Sequence, residues 1–306
     1  GPGKLTHRNH GASAGARARS AAAFAAVQSS SYSSAGYELA SHSAPRLPAM
    51  QSWCARNALT AVPFSSATVV ALPKRAGGVR PVACGSVLRR LAARGACLAL
   101  KEDIATAVGP HQFAVGVAGG CEKVQKTLAA ATEARPEAVV LALDFTNAYN
   151  SILRSVIRAA VRRRLSELAP LVATVCGPES RHWFYDDAGG NTILSTRGVD
   201  QGCPLSPALF ALAIGPALAR VAAALRRLDP DALVLAYLDD LVIRVPPELV
   251  GEVVGAAERA LRPMGGRLNR RKCKAWSPGT MEPPGVPGSI RRPSSAGGAR
   301  QPSRAA

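Results

Sequence analysis

The sequence has no Cys-x-x-Cys pair and no histidine at zinc-ligand spacing, although seven cysteines are scattered through it: Cys54, Cys84, Cys97, Cys121, Cys176, Cys203 and Cys273. An odd, unpatterned set argues against a disulfide framework or a zinc module and reads as reduced thiols in an intracellular compartment. Acid is scarce at the start, where the first hundred residues hold twelve Lys or Arg and a single acid, Glu38. Most carboxylates instead fall between Glu102 and Glu258. Long apolar runs are missing too. The longest, Pro207 to Ala219, is too short to span a bilayer and is broken by Arg220, so it is expected to be a buried helix, and no membrane is expected as a partner.

What is present begins with enough apolar residue, 47% of the 306, to rule out disorder throughout. A formal charge of +18 is the footprint expected of a protein that sits on phosphate. Residues 1–61, rich in Ala, Ser, Gly and Arg without an apolar period, read as a disordered or linker arm. Residues 277–306, dominated by Pro, Gly, Ser and Arg, read as a disordered tail. The foldable part is therefore 62–276.

Within it, strands are expected at Thr68 to Leu72 and Val79 to Cys84, then helices from Val87 to Ala107 and Cys121 to Thr132. A buried strand should run from Ala138 to Asp144, followed by an Arg-rich amphipathic helix from Ser151 to Leu168 and an extended stretch from Thr192 to Val199. Ser206 as N-cap and Pro207 as first helical residue should start a helix to Leu225. Strands at Ala232 to Tyr237 and Leu241 to Val245, joined at Asp239-Asp240, and a helix from Pro247 to Leu261 complete an α+β pattern with helices on one face of a sheet.

Two apolar segments end in acid: LALDFTNAYNSI, where Asp144 closes a strand, and LVLAYLDDLVI, where Asp239 and Asp240 lie between strands. Carboxylates flanked by apolar strands are mutually repulsive and costly to bury, and divalent cations would neutralise them. Oxygen ligands favour magnesium, and paired ions suit phosphoryl transfer between a 3′-hydroxyl and a nucleoside triphosphate. Taken alone, Asp-Asp also fits a solvated hairpin tip, and Asp144 also fits a helix N-cap.

These segments, with RGVDQGCPLSPALFALAI between them, resemble the motifs of reverse transcriptases, in order, over about 68 to 276. The run Gly198-Val199-x-Gln201-Gly202-Cys203-Pro204-Leu205-Ser206-Pro207 is close to the LINE-type, non-LTR branch. The resemblance implies an RNA-directed DNA polymerase of right-hand fold, with fingers and an antiparallel palm sheet backed by helices. It implies RNA template, DNA primer and deoxynucleoside triphosphates as partners, and two Mg2+ ions as cofactors with Mn2+ as a substitute. Asp144 and Asp239 would hold the ions with the Phe145 carbonyl, and Asp240 would support them. Tyr149 would be the steric gate against a ribose 2′-hydroxyl, or else ordinary packing. Gln201 and Gly202 would line the nucleotide and template pocket, the glycine permitting close backbone approach.

Lys74 and Arg80, around the Gly77-Gly78 turn, would contact the triphosphate, or form a solvated basic turn. Lys272, in GRLNRRKC, would donate a proton to the leaving pyrophosphate, or bind backbone phosphate with its neighbours. QFAVGVAGGCEKV, from Gln112, resembles a further segment that recurs in part of this family, which implies a role in shaping the template side for which the sequence alone offers no physical account. Two departures stand out: Leu238 replaces the commoner Ala and is expected to point away from the metals, and Asp200 adds charge that is expected to weaken triphosphate binding. The helical thumb is expected to be absent or incomplete in this chain. The rival reading is a catalytically inactive retroelement fragment that binds nucleic acid.

Overall fold

The computed structural model describes residues 62–74, 77–177 and 180–277, so the expected arm and all but Ser277 of the expected tail lie outside the described residues. All described residues fall within one unit, Pro45–Ala306. A short helix α1 (Val62–Ser65) precedes the hairpin of β1 (Ala67–Pro73) and β2 (Val79–Gly85). Helices α2 (Val87–Ala99), α3 (Lys101–Val108) and α4 (Gly120–Ala134) lead to β3 (Val139–Leu143). Next come α5 (Ala148–Ser151), α6 (Arg154–Arg164) and α7 (Ala169–Val175), then the hairpin β4 (Ser180–Asp186) and β5 (Gly189–Ser195). The long helix α8 (Ser206–Arg226), the hairpin β6 (Leu233–Tyr237) and β7 (Asp240–Val245), α9 (Val250–Leu261) and β8 (Lys274–Trp276) complete the order.

The strands form two sheets, ordered β2-β1-β4-β5 and β6-β7-β3-β8. In the second sheet all pairs are antiparallel. β3 is buried at Val139, Val140, Leu141 and Leu143, as a central strand packed on helices should be. Helix α8 fills the core beneath it and packs against α3, α6 and α9. Gly215 in α8 lies 2.8 Å, measured from an added Cβ, from the Val108 carbonyl, so only glycine lets the end of α3 cross there.

Several boundaries differ from the expectation for physical reasons. The helix expected to run to Leu225 does so, ending at Arg226, but its 21 residues are, against the expectation of a run too short to span, long and apolar enough by length and composition to cross a membrane, and 72% of its most apolar window is buried inside this protein. Ser206 is not an N-cap but a buried residue inside α8. The preceding turn already coils, with the Cys203 amide donating to Asp200 and the Ser206 amide to Cys203, so no side-chain cap is made. The helix expected at Ser151 starts only at Arg154, because the Ile152 carbonyl and Leu153 amide are engaged by Gly198 and Met264. The helix expected to reach Ala107 breaks at Leu100 (φ −109°, ψ 26°). Strand β4 has no counterpart in the expectation: its buried face carries Ser180 and His182, so its sequence shows no clean apolar alternation.

Candidate active-site cleft

The register Leu143↔Leu241 between β3 and β7, carried one step further, sets Asp144 opposite Asp240. Tyr237 pairs with Asp240, which leaves Leu238 and Asp239 as a two-residue loop between β6 and β7. Asp240 is therefore the first residue of β7, and the strands meet one residue earlier than the Asp239-Asp240 junction expected. Leu238 is not an alternating strand residue: it occupies the left-handed region at φ 54°, which costs a non-glycine residue roughly 1–2 kcal/mol.

Asp144 is held by its main chain. Its carbonyl accepts from the Asn269 amide at 2.8 Å, and its amide lies 3.4 Å from the Cys273 sulfur. The turn 269–273 is thereby tied to Asp144, which carries Lys272 to the same cleft. The adjoining Phe145–Leu268 bridge uses the Asp144 carbonyl and the Thr146 amide and leaves the Phe145 carbonyl out of it.

A cleft of about 480 Å³ is lined by Lys74, Arg80, Asp144, Phe145, Tyr149, Gln201, Gly202, Asp239 and Lys272. Asp240 lines an adjoining groove with Asp144 and Lys272. Residues almost two hundred positions apart thus face one space. Burial raises the Asp240 carboxyl above the ordinary carboxylate range, and the neighbouring Asp239 and Asp144 charges raise it further. Among the described residues, no group of three or more His, Cys, Asp or Glu side chains is already closed into a metal cluster. The donors nevertheless suit a hard cation: the acids are oxygen ligands, and their mutual repulsion is what a divalent ion would relieve.

Tyr149 stacks on Phe210 with centroids 4.8 Å apart and planes 8° from parallel. Burial and the Asp239 charge push its phenol well up, so it stays protonated. Gln201 Nε2 donates to Asn150 Oδ1 at 2.7 Å, while the Gln201 main-chain carbonyl accepts from the Ala83 amide of β2 at 2.7 Å. Gly202 (φ 127°) is required by that crossing, since an added Cβ would sit 2.7 Å from the Ala83 carbonyl. Its close approach is to the β2 backbone. Lys74 and Arg80 are exposed on the β1–β2 hairpin, whose loop is closed by the Lys74 amide donating to Gly78.

Asp200 does not present a free charge to the cleft. Arg89 Nη2 lies 2.6 Å and His182 Nε2 2.9 Å from its carboxylate oxygens, all three side chains being buried. Burial pushes this carboxyl up, but the His182 hydrogen bond and the Arg89 charge outweigh it and hold it below the usual range.

Residues 72–294 match the family described as Reverse transcriptase (RNA-dependent DNA polymerase). The chain belongs to the reverse transcriptase family. Within that family it is 32% identical over 207 residues to the Retrotransposable element SLACS 132 kDa protein of Trypanosoma brucei gambiense, which bears out the likeness to the non-LTR, LINE-type branch. The match covers 66% of this chain and 17% of that protein, so the chain spans about a sixth of its relative's length. Solved structures share the fold of this reverse transcriptase domain at 12% identity. Apo telomerase from Candida tropicalis, truncated from its C-terminal domain, aligns with a TM-score of 0.52 over 72% of this chain and 51% of that one. Telomerase from Candida albicans, solved with a fragment of telomeric RNA, aligns at 0.53 over 76% and 46%.

Sequence reasoning passed over Asn150, which orients Gln201, and Asn269 and Cys273, which hold Asp144. The last two stood inside the GRLNRRKC segment, but nothing local shows that they reach back to β3. Two of the three glycines of QFAVGVAGGCEKV now have a packing cause: Gly120 lies against the Phe113 carbonyl and Gly116 against Ala105, with no room for a Cβ at either.

Proposed function

We propose that this reverse transcriptase domain joins deoxynucleotides to a primer 3′-hydroxyl on an RNA template, using the carboxylate cleft. What carries the reading is the convergence of Asp144, Asp239, Tyr149, Gln201, Lys74, Arg80 and Lys272, from five chain segments, on one cleft. On this reading the two four-stranded sheets correspond to fingers (β2-β1-β4-β5) and palm (β6-β7-β3-β8). Asp144, Asp239 and the Phe145 carbonyl would hold two Mg2+ ions, or Mn2+ in their place, with Asp240 supporting them. Such ions, when bound, lower the pKa of an attacking hydroxyl and stabilise the entering and leaving oxygens.

The remaining roles belong to the chain's own side chains. Arg80 and Lys74, exposed on a short closed hairpin, bind the triphosphate, Arg80 with the fork that matches phosphate oxygens. Gln201, fixed by Asn150 and β2, lines the floor under the incoming nucleotide. Tyr149, locked by Phe210, occupies the space a 2′-hydroxyl would need. Lys272, carried by a turn bonded to Asp144, donates a proton to pyrophosphate as it leaves.

Primer extension on an RNA template with Mg2+ tests the proposal. The unmodified chain should extend, and Asp239→Ala should be slower by at least about a hundredfold, given the several kcal/mol of charge stabilisation removed. Equal rates would leave a nucleic-acid-binding, non-catalytic domain as the reading. Tyr149→Ala should raise ribonucleotide use roughly tenfold to a hundredfold in the same assay, in the range typical of discrimination by one group.

A further inference from the structure

The segment after α3 runs beside the edge strand β6. The His111 carbonyl accepts from the Ala236 amide, and the Phe113 amide donates to the Ala236 carbonyl, both at 2.8 Å, a parallel bridge centred on Gln112. The Gln112 side chain, 1% exposed, reaches on to the turn that carries Asp239. Its Oε1 accepts from the Leu238 amide at 2.7 Å, and its Nε2 donates to the Leu238 carbonyl at 3.3 Å. A third bond, from the Ala114 amide to Oε1 at 3.2 Å, fixes the orientation of the amide group. Both main-chain groups of one residue are therefore gripped by one side chain. That residue is the one described non-glycine besides Asn147 that holds a positive φ.

From this we propose that Gln112 is a positioning residue that holds the Leu238–Asp239 turn in its left-handed conformation and so aims the Asp239 and Asp240 carboxylates; the catalytic consequence rests on the polymerase reading above. The chemistry selects glutamine. Glutamate can accept but not donate, asparagine is one methylene too short to reach around the turn, and methionine fills the space with neither group. A non-glycine residue at positive φ relaxes unless its surroundings over-determine it, and here the over-determining group lies 126 positions away in sequence.

The test is hydrogen–deuterium exchange at single-amide resolution together with steady-state extension. In Gln112→Met, the Leu238 amide should exchange at least about tenfold faster while the Leu143 and Leu241 amides of the β3–β7 ladder are unchanged, because the bond that protects the Leu238 amide is lost, with the other two that Gln112 makes, at nearly constant side-chain volume. Its kcat should fall about tenfold or more with KM for deoxynucleotide within about twofold, since aim and not binding is lost. Gln112→Glu, which keeps the acceptor, should leave Leu238 protected and show a kcat between the two. A folded Gln112→Met with wild-type exchange at Leu238, or with wild-type kcat, overturns the proposal. Should Gln112→Met not fold, an unprotected Leu238 in Gln112→Glu overturns it equally. Wild-type chain inert in extension would end the polymerase reading, and the exchange measurement would still decide whether Gln112 holds the turn.

Discussion

Asp200 shows how a residue that looks functional by position is structural by contact. It stands next to Gln201 at the cleft, yet its carboxylate is consumed by Arg89 of α2 and His182 of β4. Arg154 plays a similar part: its guanidinium donates to the Gly198 and Gly177 carbonyls and to the Ser180 and Ser195 hydroxyls. It therefore braces the β4–β5 hairpin and is unavailable to nucleic acid. Asp200→Ala should cost about 3–5 kcal/mol in a denaturant melt, because it leaves a buried guanidinium unpaired. The folded-state carboxyl is depressed, so its contribution is complete above the ordinary carboxylate pKa and is lost as pH falls through the lowered value. The stability gap between wild type and Asp200→Ala should hold from pH 7 down to about 5 and shrink below about pH 4. A gap that widens in acid would contradict this pairing.

At the scale of elements, strands with one sharp cause were legible and those made by tertiary bonds were not. β3, β6 and β7 announce themselves as apolar runs ending in acid, and their pairing follows from the hairpin. The β1–β2 hairpin is marked by its Gly77-Gly78 turn, both residues at positive φ. The break at Ile152–Leu153 depends on partners at Gly198 and Met264, and the placement of Lys272 depends on Asn269 reaching Asp144, contacts that no local window contains. The same holds for Gln112. Its segment is pressed onto β6 by the start of α4, where Gly120 touches the Phe113 carbonyl. Gly120→Ala should push that segment away and destabilise the protein by about 1–3 kcal/mol, the usual range for overpacking. A urea melt matching wild type would show that α4 shifts freely and does not buttress the strand.

For the whole molecule, the charge of +18 over 306 residues should, on the proposed polymerase reading, govern how nucleic acid arrives. A template–primer duplex held through about 6–10 phosphates should lose roughly a thousandfold to a hundred-thousandfold in affinity between about 50 and 200 mM salt. Fluorescence anisotropy with two unrelated duplex sequences measures this, and both should give the same slope, since phosphate contacts carry no sequence information. A flat salt dependence would remove the electrostatic basis of the reading. Strand β8 adds a consequence of another kind. It pairs with β3 only at Lys274 to Trp276, and the turn just before it supplies the bond that fixes Asp144. During synthesis on the ribosome, then, the first acid of the cleft emerges early but stays unset until some 130 further residues have left the exit tunnel. A nascent chain halted after Asp240 but before Asn269 would carry all three carboxylates without the bond that sets the first of them.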